Sequence, residues 1–282
     1  MKIDLHVHTN ASDGKLAPAE LVALAASRGV SLLAIADHDT VSGITPALAA
    51  ARQHHGLQII PAIELSSYAP GNEVHVLGYF IRYDNPELAE ELQVLQNSRG
   101  ERARAIVDKL QGLGLDISLT RVQEIAGEGS IGRPHIAQAL MEKGYVSDFR
   151  EVFDKYLGHG GPAYVERHKL TPAQAVGLVL RCGGIPVLAH PTTLNLDELL
   201  PGLLSAGLMG LEVYYKDFSP DIRQNLANLA KRHHLIATGG TDYHGIESTE
   251  VMLGEAGVPA VVAEELFALA QKQGIDTARR QQ

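Results

Sequence analysis

The chain has one cysteine, no tryptophan and only five phenylalanines in 282 residues. With Cys182 alone, no disulfide can form within it, and a reducing cytoplasm is the expected compartment. The opening run Met1-Lys2-Ile3-Asp4-Leu5-His6 lacks the apolar stretch of a signal peptide. No apolar run approaches the roughly 18 residues needed to span a bilayer, so no membrane partner is expected. Positive charge is also short. Lys and Arg number 24 against 33 Asp and Glu, a net charge of −9 with histidine neutral. That excludes a broad basic surface for duplex nucleic acid, although a local basic cleft still suits a nucleotide or a short strand. The sequence carries no mark of an obligatory protein partner.

Histidine, by contrast, is abundant, with 13 copies. Packing rarely uses it so heavily, so metal binding or acid–base work enters at once. Hydrophobic residues make up 45% of the chain, enough for a full core without covalent staples.

Strand and helix patterns alternate through the first quarter. Strands are expected at residues 2–8, 32–36, 58–65 and 73–81, with helices at 18–28 and 43–54. Residues 86–157 then read as consecutive helices, closed by Gly158-His159-Gly160-Gly161-Pro162. Alternation resumes with strands at 186–189, 211–214 and 235–239 and helices at 172–182, 196–206, 220–233 and 262–273. An α/β fold follows, with a largely parallel sheet interrupted by a helical block. The expected division is residues 1–84 as the first part of a barrel, 85–168 as a helical insert covering the active site, and 169–282 as the second part. A closed or nearly closed β/α barrel is the leading architecture; an open doubly wound sheet is the alternative.

The expected strand ends hold the chemistry. His6 and His8 end the first strand, and the second runs into Asp37-His38-Asp39. Glu64 ends the third, and His75 lies in the fourth. Ala189-His190-Pro191 follows the fifth, and Asp242-Tyr243-His244 follows the last. In β/α barrels active sites are built where the strands end. Side chains two apart on a strand share a face, so His6 with His8, or Asp242 with His244, can hold one ion together. Each of these residues alone has a plain structural reading, such as a salt-bridge partner or a turn residue; their recurrence at successive strand ends favours a shared site. Imidazole and carboxylate without thiolate suit Zn²⁺, Mn²⁺ or Fe²⁺ with positions open for water and substrate. His54, His55, His159, His233 and His234 read as solvated.

At these residues the sequence resembles the PHP family, named for polymerase and histidinol phosphatase. The resemblance rests on Asp4-Leu5-His6-Val7-His8, Asp37-His38-Asp39, Glu64, His75, Ala189-His190-Pro191 and Asp242-Tyr243-His244, which span the chain in the family's order. It implies a distorted (β/α)₇ barrel with an inserted helical subdomain and a trinuclear site of Mn, Fe or Zn. His6, His8, Glu64 and Asp242 would hold one ion. Asp13, His38 and His244 would hold a second, although some members have His where this chain has Asp13. Glu64, His75 and His190 would hold the third. Asp4, Asp37 and Asp39 would orient the ligating rings. The catalytic species would be a metal-bound hydroxide held by His8, Glu64, His190 and Asp242.

The insert resembles a small bacterial branch of that family through Ser98-Arg99-Gly100-Glu101-Arg102-Ala103-Arg104 and Gly132-Arg133-Pro134-His135-Ile136-Ala137. Members of that branch act as 3′,5′-nucleotide bisphosphate phosphatases and as 5′→3′ exoribonucleases on short RNA. Independently of family, Arg133-Pro134-His135 makes sense as an anion site. A proline-initiated helix start offers amides, and Arg133 offers a forked donor. The alternative is an ordinary helix start with a solvated arginine. Arg99 and Arg102 are either phosphate contacts or a charged helix face, and Arg167-His168-Lys169 is a further basic cluster without an assigned role. The expected activity is therefore metal-dependent hydrolysis of a phosphate ester in a nucleotide or short oligonucleotide, with Arg99, Arg102, Arg133 and His135 binding substrate. Histidinol-phosphate phosphatase and a non-catalytic metal-loaded scaffold are the rival readings.

Overall fold

The computed structural model describes residues 1–69, 72–127, 131–166, 170–245 and 252–280; the cluster Arg167-His168-Lys169 lies outside them. The chain divides into two compact units, residues 1–89 with 170–282 and residues 90–169.

The first unit holds seven strands in a single sheet, ordered as in the chain. They are β1 (Lys2–Val7), β2 (Val30–Ile35), β3 (Gln58–Ala69), β4 (Asn72–Tyr79), β5 (Ile185–Leu188), β6 (Gly210–Tyr215) and β7 (Ile236–Gly240). A bridge from Val7 to Tyr243, just past β7, brings the first strand to the last, so the sheet is a nearly closed barrel. Helices α1 (Pro18–Ser27) and α2 (Ile44–Ala51) follow β1 and β2. Strands buried on both faces read as near-continuous apolar runs, and β2 and β5 do so, whereas β1 is equally buried but carries Asp4 and His6.

The sheet is not uniformly parallel. β4 runs antiparallel to both β3 and β5. This corrects two expectations. β3 does not end at Glu64 but continues to Ala69, because Ser66, Ser67 and Tyr68 pair with His75, Val74 and Glu73 of β4 in a hairpin. Glu64 therefore sits midway along β3, and His75 lies in the first half of β4 rather than at its end. The reversal of β4 places its beginning at the end of the barrel where the parallel strands finish: the His75 carbonyl accepts from Ala189 N, just beyond β5.

The second unit begins within α3 (Pro86–Gly112), which continues into it from the first, and adds α4 (Leu119–Ala126), α5 (Arg133–Glu142) and α6 (Phe149–Val152), the last extended by a wide turn over Phe153–Leu157. Its core gathers Ile106, Val107 and Leu110 with Val122, Ile136 and Leu140. The remaining helices of the first unit are α7 (Pro172–Arg181), α8 (Leu196–Ala206), α9 (Pro220–Arg232), α10 (Val261–Lys272) and α11 (Thr277–Arg280). Their starts are written locally. Thr171 and Gln174 exchange bonds across the first turn of α7, with Pro172 as its first residue, and Ser219 caps α9 before Pro220. The apolar face of α10 (Val262, Leu266, Ala270) joins Leu32, Ala34, Leu77, Tyr79 and Val187 in the core.

Closure depends on Gly239-Gly240. A Cβ on Gly239 would stand 2.3 Å from the Tyr214 carbonyl oxygen, and one on Gly240 would stand 2.5 Å from both His6 N and His6 Cβ. β7 can approach β6 and β1 this closely only without side chains there. Gly240→Ala is expected to destabilise the protein by about 1–3 kcal/mol in urea denaturation, because the obstruction is backbone that cannot swing aside. Gly202→Ala, in α8 with open space around it, is expected to stabilise by about 0.5–1 kcal/mol in the same assay.

Candidate metal centre

His6 lies on β1 and His8 one residue past it, both fully buried. The loop after β1 turns back on the strand: an added Cβ on Gly14 would lie 2.5 Å from the His8 carbonyl oxygen. That tight return sets Asp13 beside the histidines, with Oδ1 at 3.3 Å from His244 Nε2 and 3.8 Å from His8 Nδ1, and Oδ2 at 3.9 Å from His38 Nε2. The segment beyond β7 is zipped to the same loop by His8 N to Tyr243 O and Lys15 N to His244 O.

Glu64 is the meeting point. Its Oε2 lies 3.2 Å from His6 Nε2, 3.3 Å from His8 Nε2 and 3.1 Å from His38 Nδ1. Its Oε1 lies 2.9 Å from His75 Nδ1 and 3.0 Å from His190 Nε2. Asp242 Oδ1 is 3.0 Å from His8 Nε2 and 3.5 Å from His6 Nε2.

Three overlapping groups have ligand atoms within 4.8 Å of one another: His6, His8, Glu64 and Asp242; His8, Asp13, His38 and His244; and His38, Glu64 and His75. All nine residues read from the sequence are thus brought together. The grouping differs in detail. His8 joins the second set, and His38 rather than His190 completes the third, while His190 meets it through Glu64 Oε1.

The donor set fits divalent ions on a specific observation. Buried side-chain atoms without a hydrogen-bond partner, among the described residues, include His6 Nε2, both ring nitrogens of His8, Asp13 Oδ1, His38 Nδ1 and Glu64 Oε2. Buried polar atoms are nearly always satisfied, and all six belong to residues of the overlapping groups. The 3.0 Å approach of His8 Nε2 to Asp242 is short but lacks hydrogen-bond direction. Cations there would complete every one of these atoms.

Charge supports the same conclusion. Burial raises the carboxyls of Glu64, Asp13 and Asp242, yet the surrounding imidazoles hold all three well below their ordinary range. Burial depresses His6, but Glu64, Glu212 and Asp242 outweigh it and raise the ring well above its usual value. Against the same burial, Asp242 and Asp13 lift His244 to about 10. His38 goes the other way, to about 3, because its burial is not offset. The pocket is short of positive charge, and protons fill part of that deficit when no cation does.

The outer support was only partly legible. Asp4 does not orient a ring; it accepts from Thr241 N and Oγ1 and from Gly254 N, pinning the closing loop. Asp37 likewise binds Thr9 N, Thr9 Oγ1 and Ser12 Oγ, fixing the loop that presents Asp13. Asp39 Oδ1 accepts from Ser66 N. These carboxylates hold backbone amides that would otherwise be buried without partners. One carboxylate that holds a ring is Glu212 of β6, which sequence reasoning missed: fully buried, it lies 3.1 Å from His6 Nδ1 and accepts from His190 N at 2.7 Å. A lone acid inside Leu211-Glu212-Val213 was the available signal. Tyr215 was also missed; its hydroxyl donates to Asp242 Oδ2 at 2.8 Å. Asp39, His190 and Asp242 all have positive φ, a strained backbone that such bonds maintain.

The four proposed substrate residues belong to the second unit. Arg99 Nη1 and His135 Nδ1 both border Gly132, and the Gly132 amide donates to His135 Nδ1 at 3.0 Å. That bond makes Nε2 the protonated nitrogen of the neutral ring. Arg133 lies over the Phe153 ring at 5.4 Å. Arg102 is drawn inward: it is buried, donates from Nε to Val165 O at 2.8 Å and lies over Tyr164.

Residues 4–166 match the PHP domain. The chain belongs to the PHP domain family. It is 37% identical to the 5′-3′ exoribonuclease Rnm of Escherichia coli K12, covering 86% of this chain and 84% of that protein. It is 35% identical to the 3′,5′-nucleoside bisphosphate phosphatase of Chromobacterium violaceum, covering 86% and 87%. The solved structure of a Bifidobacterium adolescentis protein, provisionally described as a metal-dependent phosphoesterase, superposes with a TM-score of 0.87 at 29% identity, over 97% of this chain and 96% of that one. This PHP protein is a hydrolase of phosphate esters. No helix among the described residues is long and apolar enough to cross a membrane.

Two outcomes follow from the supporting groups and the charge. Glu212→Gln is expected to weaken metal binding roughly 10–100-fold, and Tyr215→Phe to weaken it toward the lower end of that range, as read by metal titration of chelator-treated protein. The pH dependence of that metal-free protein has a definite sign. His244 rises from its ordinary 6.5 to about 10, so its stabilising contribution is full below 6.5 and lost as pH climbs toward 10. His6 and His190 are raised as well and act in the same direction. Thermal melts of the chelated protein should therefore fall between pH 6.5 and 10, while metal affinity rises over that window as the competing protons leave.

Proposed function

We propose that this PHP protein hydrolyses phosphate esters of nucleotides, either the 3′-phosphate of a 3′,5′-bisphosphate or the successive linkages of a short 5′-phosphorylated RNA. The observation that carries the reading is the set of orphaned imidazole and carboxylate atoms around Glu64. The names of the Escherichia coli and Chromobacterium violaceum relatives, both of which denote nucleotide phosphate esters, support the substrate class. They do not favour histidinol phosphate.

In this reading three divalent ions, Mn, Fe or Zn, are held: one by His6, His8, Glu64 and Asp242, one by Asp13, His38 and His244 with His8, and one by Glu64, His75 and His190. Such ions supply a lowered water pKa and a clamp on phosphate oxygens. The protein's residues set the stage for that chemistry. Glu64 offers one oxygen to each side of the cluster and fixes its spacing. Glu212 and Tyr215 hold His6 and Asp242 in the orientation that ligation needs. Burial of β1 and β3 around them excludes bulk water and strengthens every charge interaction. Arg99, Arg133 and His135 are assigned to a further phosphate of the substrate, supported by the way Arg99 and His135 border the start of α5. Arg102 stabilises the insert. Cys182 is free and buried, in keeping with the reducing cytoplasm in which we place the enzyme.

His8→Ala and Asp242→Ala should each lower metal-dependent release of phosphate or mononucleotide by more than the roughly 10–100-fold typical of losing an outer partner. Undiminished release from either variant would rule out this mechanism. Adenosine 3′,5′-bisphosphate and 5′-phosphorylated oligoribonucleotides should be turned over faster than histidinol phosphate. Arg133→Ala should raise KM for these substrates more than it lowers kcat.

A further inference from the structure

A second basic site lies at the other end of the barrel. β4 ends at Tyr79, opposite Ile185 at the start of β5. The chain leaving β4 and the chain arriving from α10 border a cavity of about 660 Å³ there, lined by Arg82, Tyr83, Asp84, Asp276, Arg279 and Arg280 among others. His75 and His190 belong to the opposite end, where β5 finishes, so this cavity is separate from the metal centre. Its size is that of a small-molecule site.

Two of the guanidinium groups are held in place by main chain. Arg280 Nη1 donates to the Phe80 carbonyl, and Arg82 Nη2 donates to the Arg181 carbonyl at 3.3 Å. Both lie against Gly183, where a Cβ would meet Arg280 Nη2 at 3.0 Å and Arg82 Nε at 3.6 Å. Phe80 adopts positive φ, and its ring is packed edge-on against Phe267 at 5.3 Å. A strained, non-glycine residue thus presents the carbonyl that anchors Arg280.

The three arginines outnumber the two aspartates of the lining, so the cluster is only partly neutralised internally. Among the described residues none of Arg82, Arg279 and Arg280 forms an ion pair, although Asp84 and Asp276 share the cavity. Asp276 Oδ1 is engaged by the Arg279 amide. Partial burial and the neighbouring Arg82 and Arg279 depress the Arg280 guanidinium, and Asp84 and Asp276, which act the other way, offset this only in part. In a chain of net charge −9, three arginines around one cavity, two of them held by main-chain carbonyls and none in an ion pair, call for an anion.

We propose that this cavity binds a phosphate-bearing small molecule, with Arg82, Arg279 and Arg280 on the phosphate and Tyr83 beside whatever the phosphate is attached to. The chemistry is shared by inorganic phosphate and by a nucleoside monophosphate, and the two are separated by titration. The site does not depend on the metal centre, so its test uses full-length, chelator-treated protein. The chain has no tryptophan, so Tyr83→Trp installs a single fluorophore at the cavity. Titration with inorganic phosphate and, separately, with adenosine monophosphate should give a saturable change in its emission. Calorimetry on the unsubstituted protein should give the same affinities. Arg82→Ala combined with Arg279→Ala, both exposed and outside the core, should weaken that binding at least about tenfold while leaving metal-dependent hydrolysis by the reloaded enzyme unchanged. Tighter binding of the nucleotide than of phosphate identifies the nucleotide as the occupant, and equal binding identifies the phosphate group alone. Absence of saturable binding by calorimetry, or equal binding by the double variant, would overturn the proposal.

Discussion

Five imidazole rings meet one buried carboxylate. Glu64 has three ring nitrogens within 3.3 Å of Oε2 and two within 3.0 Å of Oε1. As they stand, His6 Nε2, His8 Nε2, His38 Nδ1 and Glu64 Oε2 approach one another without forming a hydrogen bond. The barrel has to bring β1, β2, β3, β4 and the segment after β5 to that point at once. Register, closure and the direction of β4 are all subordinate to it. The fully buried acid also explains why so much polar structure surrounds it: by short bonds Asp4 and Asp37 fix Thr241 and Thr9, next to site residues, while Glu212 and Tyr215 fix His190 and Asp242 themselves. Without them an unmatched charge in the interior would be a large penalty.

Much of this was legible in the sequence because imidazoles are conspicuous and strand periodicity is simple. His6-Val7-His8 puts two rings on one face whatever the fold, and the recurrence of His, Asp or Glu after apolar runs marks one end of a barrel. The direction of β4 was not legible. A strand's own apolar pattern does not record which way its neighbours run, and residues 73–81 read equally well in either sense. The length of β3 was missed for a related reason, since Ser66 and Ser67 look like a terminus until the hairpin partner is seen. Asp13 came only through resemblance, because Asp-Gly in a turn has an ordinary structural use. Glu212 hid in an apolar strand, where one acid is also what an outward-facing position looks like. Arg102 could not be told from Arg99 in the same helix, because the polar surface of α3 does not say which arginine folds inward.

The two glycines at the end of β7 show how narrow the tolerance is. The strand that leads to Asp242 lies against His6 with no room for a methyl group. The ligands from the first strand and from beyond the last are therefore set by direct backbone contact, not through intervening side chains. Strain at Asp39, His190 and Asp242 is concentrated where the chain leaves the strands. Rigid strands with a few distorted exits are what positions this many donors on one point.

The pairing of β1 with the segment beyond β7 also bears on how the chain is held together. His6 and His8 stand near its beginning and Asp242 and His244 near its end, with Glu64 between. An ion shared by His6, Glu64 and Asp242 would be a covalent-like tie between distant stretches of polymer. In chain-entropy terms it restricts the unfolded state as a cross-link does, worth about 4.7 kcal/mol for a loop of 100 residues and little more for longer ones. In a protein whose single cysteine denies it any internal disulfide, such an ion would be an inorganic substitute, located at the seam of its barrel.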